Sequence, residues 1–228
     1  MWHLLFHLIR PLLFPEKDAN GEKKEASFIS ISDPKKFIGY LHKVGYFKYT
    51  NASKIAILEE SFRVSLMLNK GLMGVDDTHT GIPYDYRIYA LNAEELSEKG
   101  GFIASLRPLK KTFEKLMIPM IWTNESLIVE NNRMTYRISL NGKEYIIYDG
   151  SRDFPLRAAI TKLKTVQMLN DQLKMSGSDE RIYLLSSAKY GRIIFLTKKM
   201  QNYIAAILKN ENIRPMDTKL WAKWNQLT

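Results

Sequence analysis

The chain is predicted to fold as an α+β protein, on two observations. Amphipathic helices stand in runs beside strand pairs joined by tight turns, without the strand–helix–strand alternation that winds a parallel sheet. The glycine signatures of nucleotide-binding folds are also missing: no G-x-G-x-x-G follows a strand, and no G-x-x-x-x-G-K-[ST] occurs.

The elements follow from local signals. An alternating segment at 27–31 reads as a short strand. Ser32 or Asp33 can cap a helix opened by Pro34, whose missing N–H would be unpaired there in any case, and Gly45 ends it. Ile55, Leu58, Phe62 and Leu66 keep helical spacing over 52–69 behind an Asn51 cap. A loop over 71–83 and a strand over 85–90 come next, then a short turn of helix capped by Asn92. Ile103, Leu106, Leu109, Phe113 and Leu116 mark a helix to about 117, kinked or opened at Pro108. Strands are expected at 118–122 and 127–130.

Asn141-Gly142 between two alternating runs is the clearest signal of all. It supplies the two positive φ angles of a type I′ turn, so 136–140 and 143–148 form a hairpin. With a turn at Asn131-Asn132 this makes a three-stranded meander. A long helix over 156–174 should bury Ile160, Leu163, Val166, Leu169 and Leu173. A second hairpin pairs 181–186 with 192–196, turning through 188–191. Thr197 caps a helix with Met200, Tyr203, Ile204, Ile207 and Leu208 inward, and Trp221 and Trp224 are read as aromatics of an exposed tail.

The 228 residues, 45% hydrophobic and 25% charged, suffice for a sizeable core. The expected organisation is an apolar tail and charged linker over 1–26, then one domain over 27–228, or two lobes at 27–122 and 123–228. The apolar start is interrupted by His7, Arg10 and Pro11 and is too short for a transmembrane span. It reads as a docking tail, a misplaced start, or a weak membrane-surface contact. The absence of cysteine excludes disulfides, thiolate nucleophiles and cysteine-held metals, and fits a cytoplasmic protein of bacterial style. No motif implies a cofactor.

Net charge is +10, and residues 155–228 hold 13 Lys and Arg against 5 Asp and Glu. Arg157, Lys162, Lys164, Arg192, Lys198 and Lys199 are the expected basic binding surface, since clustered cations draw in an anionic partner. Tyr183, Tyr190, Phe195 and Tyr203 interleave with these charges, as in single-strand binders, yet they also match the core pattern.

Chemistry-bearing groups converge most in the loop Gly74-Val-Asp-Asp-Thr-His-Thr-Gly81. Asp76, Asp77 and His79 could hold a divalent ion or form an acid–base pair, although Asp, Thr and Gly are also plain turn formers. Of the acidic cluster Glu94, Glu95 and Glu98, a helix start accounts for Glu94 and Glu95, and no G-x-S-x-G nucleophile elbow exists. The expected function is therefore a non-enzymatic binding protein, of adaptor or toxin-neutralising type, with an acidic protein partner. The alternatives are a nucleic-acid or other polyanion binder using the basic last third, and a metal-assisted hydrolase centred on the 76–79 loop.

Overall fold

The computed structural model describes residues 33–68, 70–98, 100–185 and 190–227. The expected tail, linker and 27–31 strand, and most of the 188–191 turn, lie outside these residues.

The architecture is α+β, with two antiparallel three-stranded sheets. Helix α1 (Pro34–Lys43) is capped by Asp33, whose carboxylate accepts from the Lys36 N–H at 2.9 Å. Gly45, at φ 76°, turns the chain into a 3-10 segment, Tyr46–Tyr49. Helix α2 (Ala52–Met67) starts at Asn51, whose side chain accepts from the Ser53 N–H. Strand β1 covers Ile88–Asn92. It begins later than the expected 85–90, because Asp85 folds its carboxylate back onto the Arg87 and Ile88 N–H groups and Tyr86 takes φ 53°. After a 3-10 turn at Glu95–Ser97, the expected 103–117 helix appears as two short ones. They are α3 (Gly101–Leu106) and α4 (Lys110–Lys115), separated by a 3-10 turn containing Pro108.

The meander is formed by β2 (Trp122–Glu130), β3 (Arg133–Leu140) and β4 (Lys143–Ser151). Two expected strands are one: β2 runs through an irregularity between Thr123 and Ser126, where Asn124 takes φ 53°, and 118–121 is not strand. Leu140 pairs with Lys143 around Asn141 and Gly142, at φ 52° and 79°, as a type I′ turn requires. Asn131 and Asn132 make the other turn, at φ 45° and 64°.

Helix α5 (Arg157–Met175) packs on β4 and on β5 (Glu180–Leu185), so it lies between the sheets and is buried on more than one face. Strand β6 (Tyr190–Thr197) is central in the second sheet, with order β1-β6-β5. Thr197 caps α6 (Lys198–Ile207) and Asp217 caps α7 (Thr218–Trp224). Because β1 pairs with β6 from Ile88–Ile194 to Asn92–Tyr190, a division at 122 does not separate the chain into two cores.

The second sheet is apolar on both faces. Tyr89, Leu91, Ile182, Leu184, Ile193 and Phe195 join a core with α3, α4, α5, α7 and the meander. Ile88, Tyr183, Leu185, Ile194 and Leu196 join a second core with α1, α2 and α6. Tyr183 and Phe195, read as aromatics among charges, therefore belong to the interior. Trp221, expected on an exposed tail, is also fully buried, because α7 closes the end of α5 and β5. Among the described residues no helix is long and apolar enough to cross a membrane.

Candidate functional site

The densest polar constellation lies inside the protein. Arg87, fully buried just before β1, donates from two guanidinium nitrogens to Glu180 at 2.9 and 3.1 Å. It also donates to the carbonyls of Phe195 at 2.7 Å and Tyr46 at 2.6 Å, and lies over the rings of Tyr46 and Tyr49. Glu180 further accepts from Lys48 at 3.1 Å and Tyr49 at 3.3 Å. Asp85 accepts from the Tyr46 hydroxyl at 2.8 Å. Burial acts to raise the Glu180 carboxyl, but Arg87 and Lys48 override it and leave the group below its ordinary range. Burial holds Asp85 above its range, and burial, reinforced by Asp85, holds the Tyr46 hydroxyl far above its own. Every charged member meets its partners within the fold, which ties the 3-10 segment after α1 to β5 and β6.

The loop with Asp76, Asp77 and His79 is a turn closed on itself. Asp77 accepts from the His79 N–H at 3.1 Å, the Thr80 N–H at 2.9 Å and the Thr80 hydroxyl at 3.0 Å. The Thr80 backbone bond contributes most to holding this carboxyl below its ordinary range. Asp76 forms a backbone bridge with Pro83, and the His79 side chain is exposed. Among the described residues no three His, Asp or Glu side chains gather as a metal site would need, so the expected ligand set does not assemble here.

The six expected basic residues do not form one surface. Lys162 is the clear correction: it is fully buried, with its Nζ 5.8 Å from the Trp221 ring, and burial pushes its ammonium down to about 8. Helix positions i and i+2 lie about 200° apart, so exposed Lys164 points the other way from Lys162. Arg157 is partly buried, with a guanidinium nitrogen 3.4 Å from the Met134 sulfur. Arg192 is also partly buried and donates to the Leu72 carbonyl at 3.2 Å. It pairs with Leu185 at one end of β6, whereas exposed Lys198 and Lys199 follow the other end, roughly 20 Å along the strand.

What the fold does assemble is a face shared by α1 and α6. Neither helix contains a single Asp or Glu, while they hold Lys35, Lys36, Lys43, Lys198 and Lys199. Tyr40 and Tyr203 lie face on face across the seam, ring centroids 3.6 Å apart, and Tyr203 also stacks on buried Phe37 at 5.5 Å. Lys48, after α1, meets Glu180, which pairs with Thr197 just before α6, so the C-terminal side of α1 lies near the N-terminal side of α6. Exposed Lys43 and Lys199 thus stand one turn from the stacked pair at the same end, and exposed Lys36 one turn away at the other. Lys35 and His42 point instead into a shallow groove of about 400 Å³ against α2, with Glu59, Glu60 and Arg63. There His42 meets Glu59 and Arg63 meets Glu60, so the charges of that groove are matched within it.

Only Lys198 and Lys199 of this face belong to the basic residues singled out from the sequence. The lysines of α1 sit among acidic neighbours in the sequence, and the long-range contact with α6 is what brings them beside Lys198 and Lys199. The signal available was the absence of carboxylates from two amphipathic helices. Comparison with protein-family models, curated proteins and solved structures finds no match to this chain.

Proposed function

We propose that this is a non-enzymatic binding protein that engages an anionic macromolecule through the α1–α6 face. The observation that supports the reading is the composition of that face: exposed lysines on two neighbouring helices whose own residues include no carboxylate. Asp33 at the α1 cap adjoins Lys36, but lysines that outnumber the carboxylates beside them keep potential available to a partner, which speeds encounter and fixes orientation. An adaptor or toxin-neutralising protein would use such a face toward an acidic protein surface. A cytoplasmic setting belongs to the same proposal and agrees with a cysteine-free chain.

The test is capture from lysate of the source organism, wild type against Lys43→Glu/Lys199→Glu. A partner held by the wild type and lost by the variant is the expected result. A partner retained equally by both would place the interface elsewhere and overturn the reading.

A further inference from the structure

We infer that the α1–α6 face binds single-stranded nucleic acid, its lysines on phosphates and its stacked tyrosines under an unpaired base. The inference rests on the proposed anionic-macromolecule reading and names the partner within it.

Three features favour phosphate over an acidic protein. The cores of protein interfaces are depleted of lysine and rich in apolar side chains. Among the described residues the exposed large apolar side chains include none from α1 or α6. What the face offers is lysine, a compact charge suited to a phosphate, flanking a pair of aromatic rings. Alternation of cation and π-surface is the arrangement by which proteins hold single strands without reading sequence.

The shape of the face argues against a duplex. Two helices with interleaved aromatic side chains span about 20 Å, too broad for a major groove about 12 Å wide. A flexible single strand can follow the seam. One phosphate would lie near Lys36 and others near Lys43 and Lys199, with the base between them stacking on the face of Tyr40 turned away from Tyr203.

The experiment is fluorescence anisotropy with labelled deoxythymidine and uridine oligomers of about 12 nucleotides, a duplex of equal length, and poly-L-glutamate as competitor. Three phosphate contacts predict a log–log salt slope of about −2 for single strands, and Lys199→Ala should make it shallower by about 0.7. Tyr40→Leu keeps an apolar side chain at the seam and should weaken binding about five-fold or more, while Tyr40→Phe, which still stacks, should bind like wild type. Circular dichroism of each variant checks the fold. Poly-L-glutamate competing as well as the oligomers, with Tyr40→Leu unaffected, would overturn the nucleic-acid inference and leave the anionic-partner reading standing. Failure to bind any of these polymers at low salt, or binding unchanged in Lys43→Glu/Lys199→Glu, would overturn the nucleic-acid inference, and the anionic-partner reading falls if lysate capture is also unchanged by that variant.

Discussion

Arg87 grips Glu180 with two hydrogen bonds at 2.9 and 3.1 Å, although the residues stand 93 positions apart in the chain. Both side chains are fully buried, so the pair joins the start of β1 to the start of β5 in a setting from which water is excluded. Replacing such a pair by apolar groups can be nearly neutral, whereas removing one partner strands a buried charge.

Glu180→Gln is therefore expected to lower unfolding free energy by about 3–5 kcal/mol at neutral pH, read from urea denaturation. The Glu180 carboxyl titrates below its ordinary range in the folded state. Its stabilisation is therefore complete at neutral pH and is lost as pH falls through the folded value. The gap between wild type and variant should narrow on acidification. A gap that stays constant down to about pH 3, below the ordinary carboxylate range, would show that Glu180 does not carry the acid sensitivity.

Lys162 has the opposite linkage. Its folded-state value is pushed down to about 8 by burial, against 10.5 for an ordinary lysine. Between these values the unfolded chain binds more protons, so stability should rise with pH. Lys162→Met should remove this dependence between about pH 8 and 9.5, below the range where tyrosines ionise. Equal slopes in both proteins would refute the assignment.

Asn141 does more than turn the hairpin. Its side chain donates to the Pro119 carbonyl at 2.7 Å and to Gln172 of α5 at 2.8 Å, and accepts from the Ile121 N–H at 2.9 Å. Asn141→Gly keeps the left-handed conformation and deletes only this tether, at an expected cost of about 1.5–3 kcal/mol. Gly142→Ala leaves the tether and should cost about 1–2 kcal/mol through its φ of 79°. Thermal melts of the two single variants and the double variant separate the terms.

The 76–81 loop should not discriminate among metals. Calorimetric titration with Zn²⁺, Mn²⁺ and Mg²⁺ is expected to give the same heats for wild type and His79→Ala, since Asp77 is engaged by its own turn. A specific heat lost in the variant would restore the ion site.

Local elements could be read from residues because their causes are local. Asp33, Asn51 and Thr197 accept from N–H groups two or three positions on, and Asn141-Gly142 needs only its own backbone angles, so neighbours in the chain decide the outcome. Charge and aromatic placement could not be read in that way. Lys162 and Trp221 look like surface residues in a basic last third, and Arg87 like one more cation, yet all three are buried. Their exposure depends on the pairing of β1 with β6 and on α5 lying between two sheets, contacts between segments tens to a hundred residues apart. The same distant packing brings α1 beside α6 and makes one lysine-bearing face from two helices that contain no carboxylate of their own. A residue type says what a side chain can do, but burial and the neighbours that cancel or leave its charge are properties of the assembled chain.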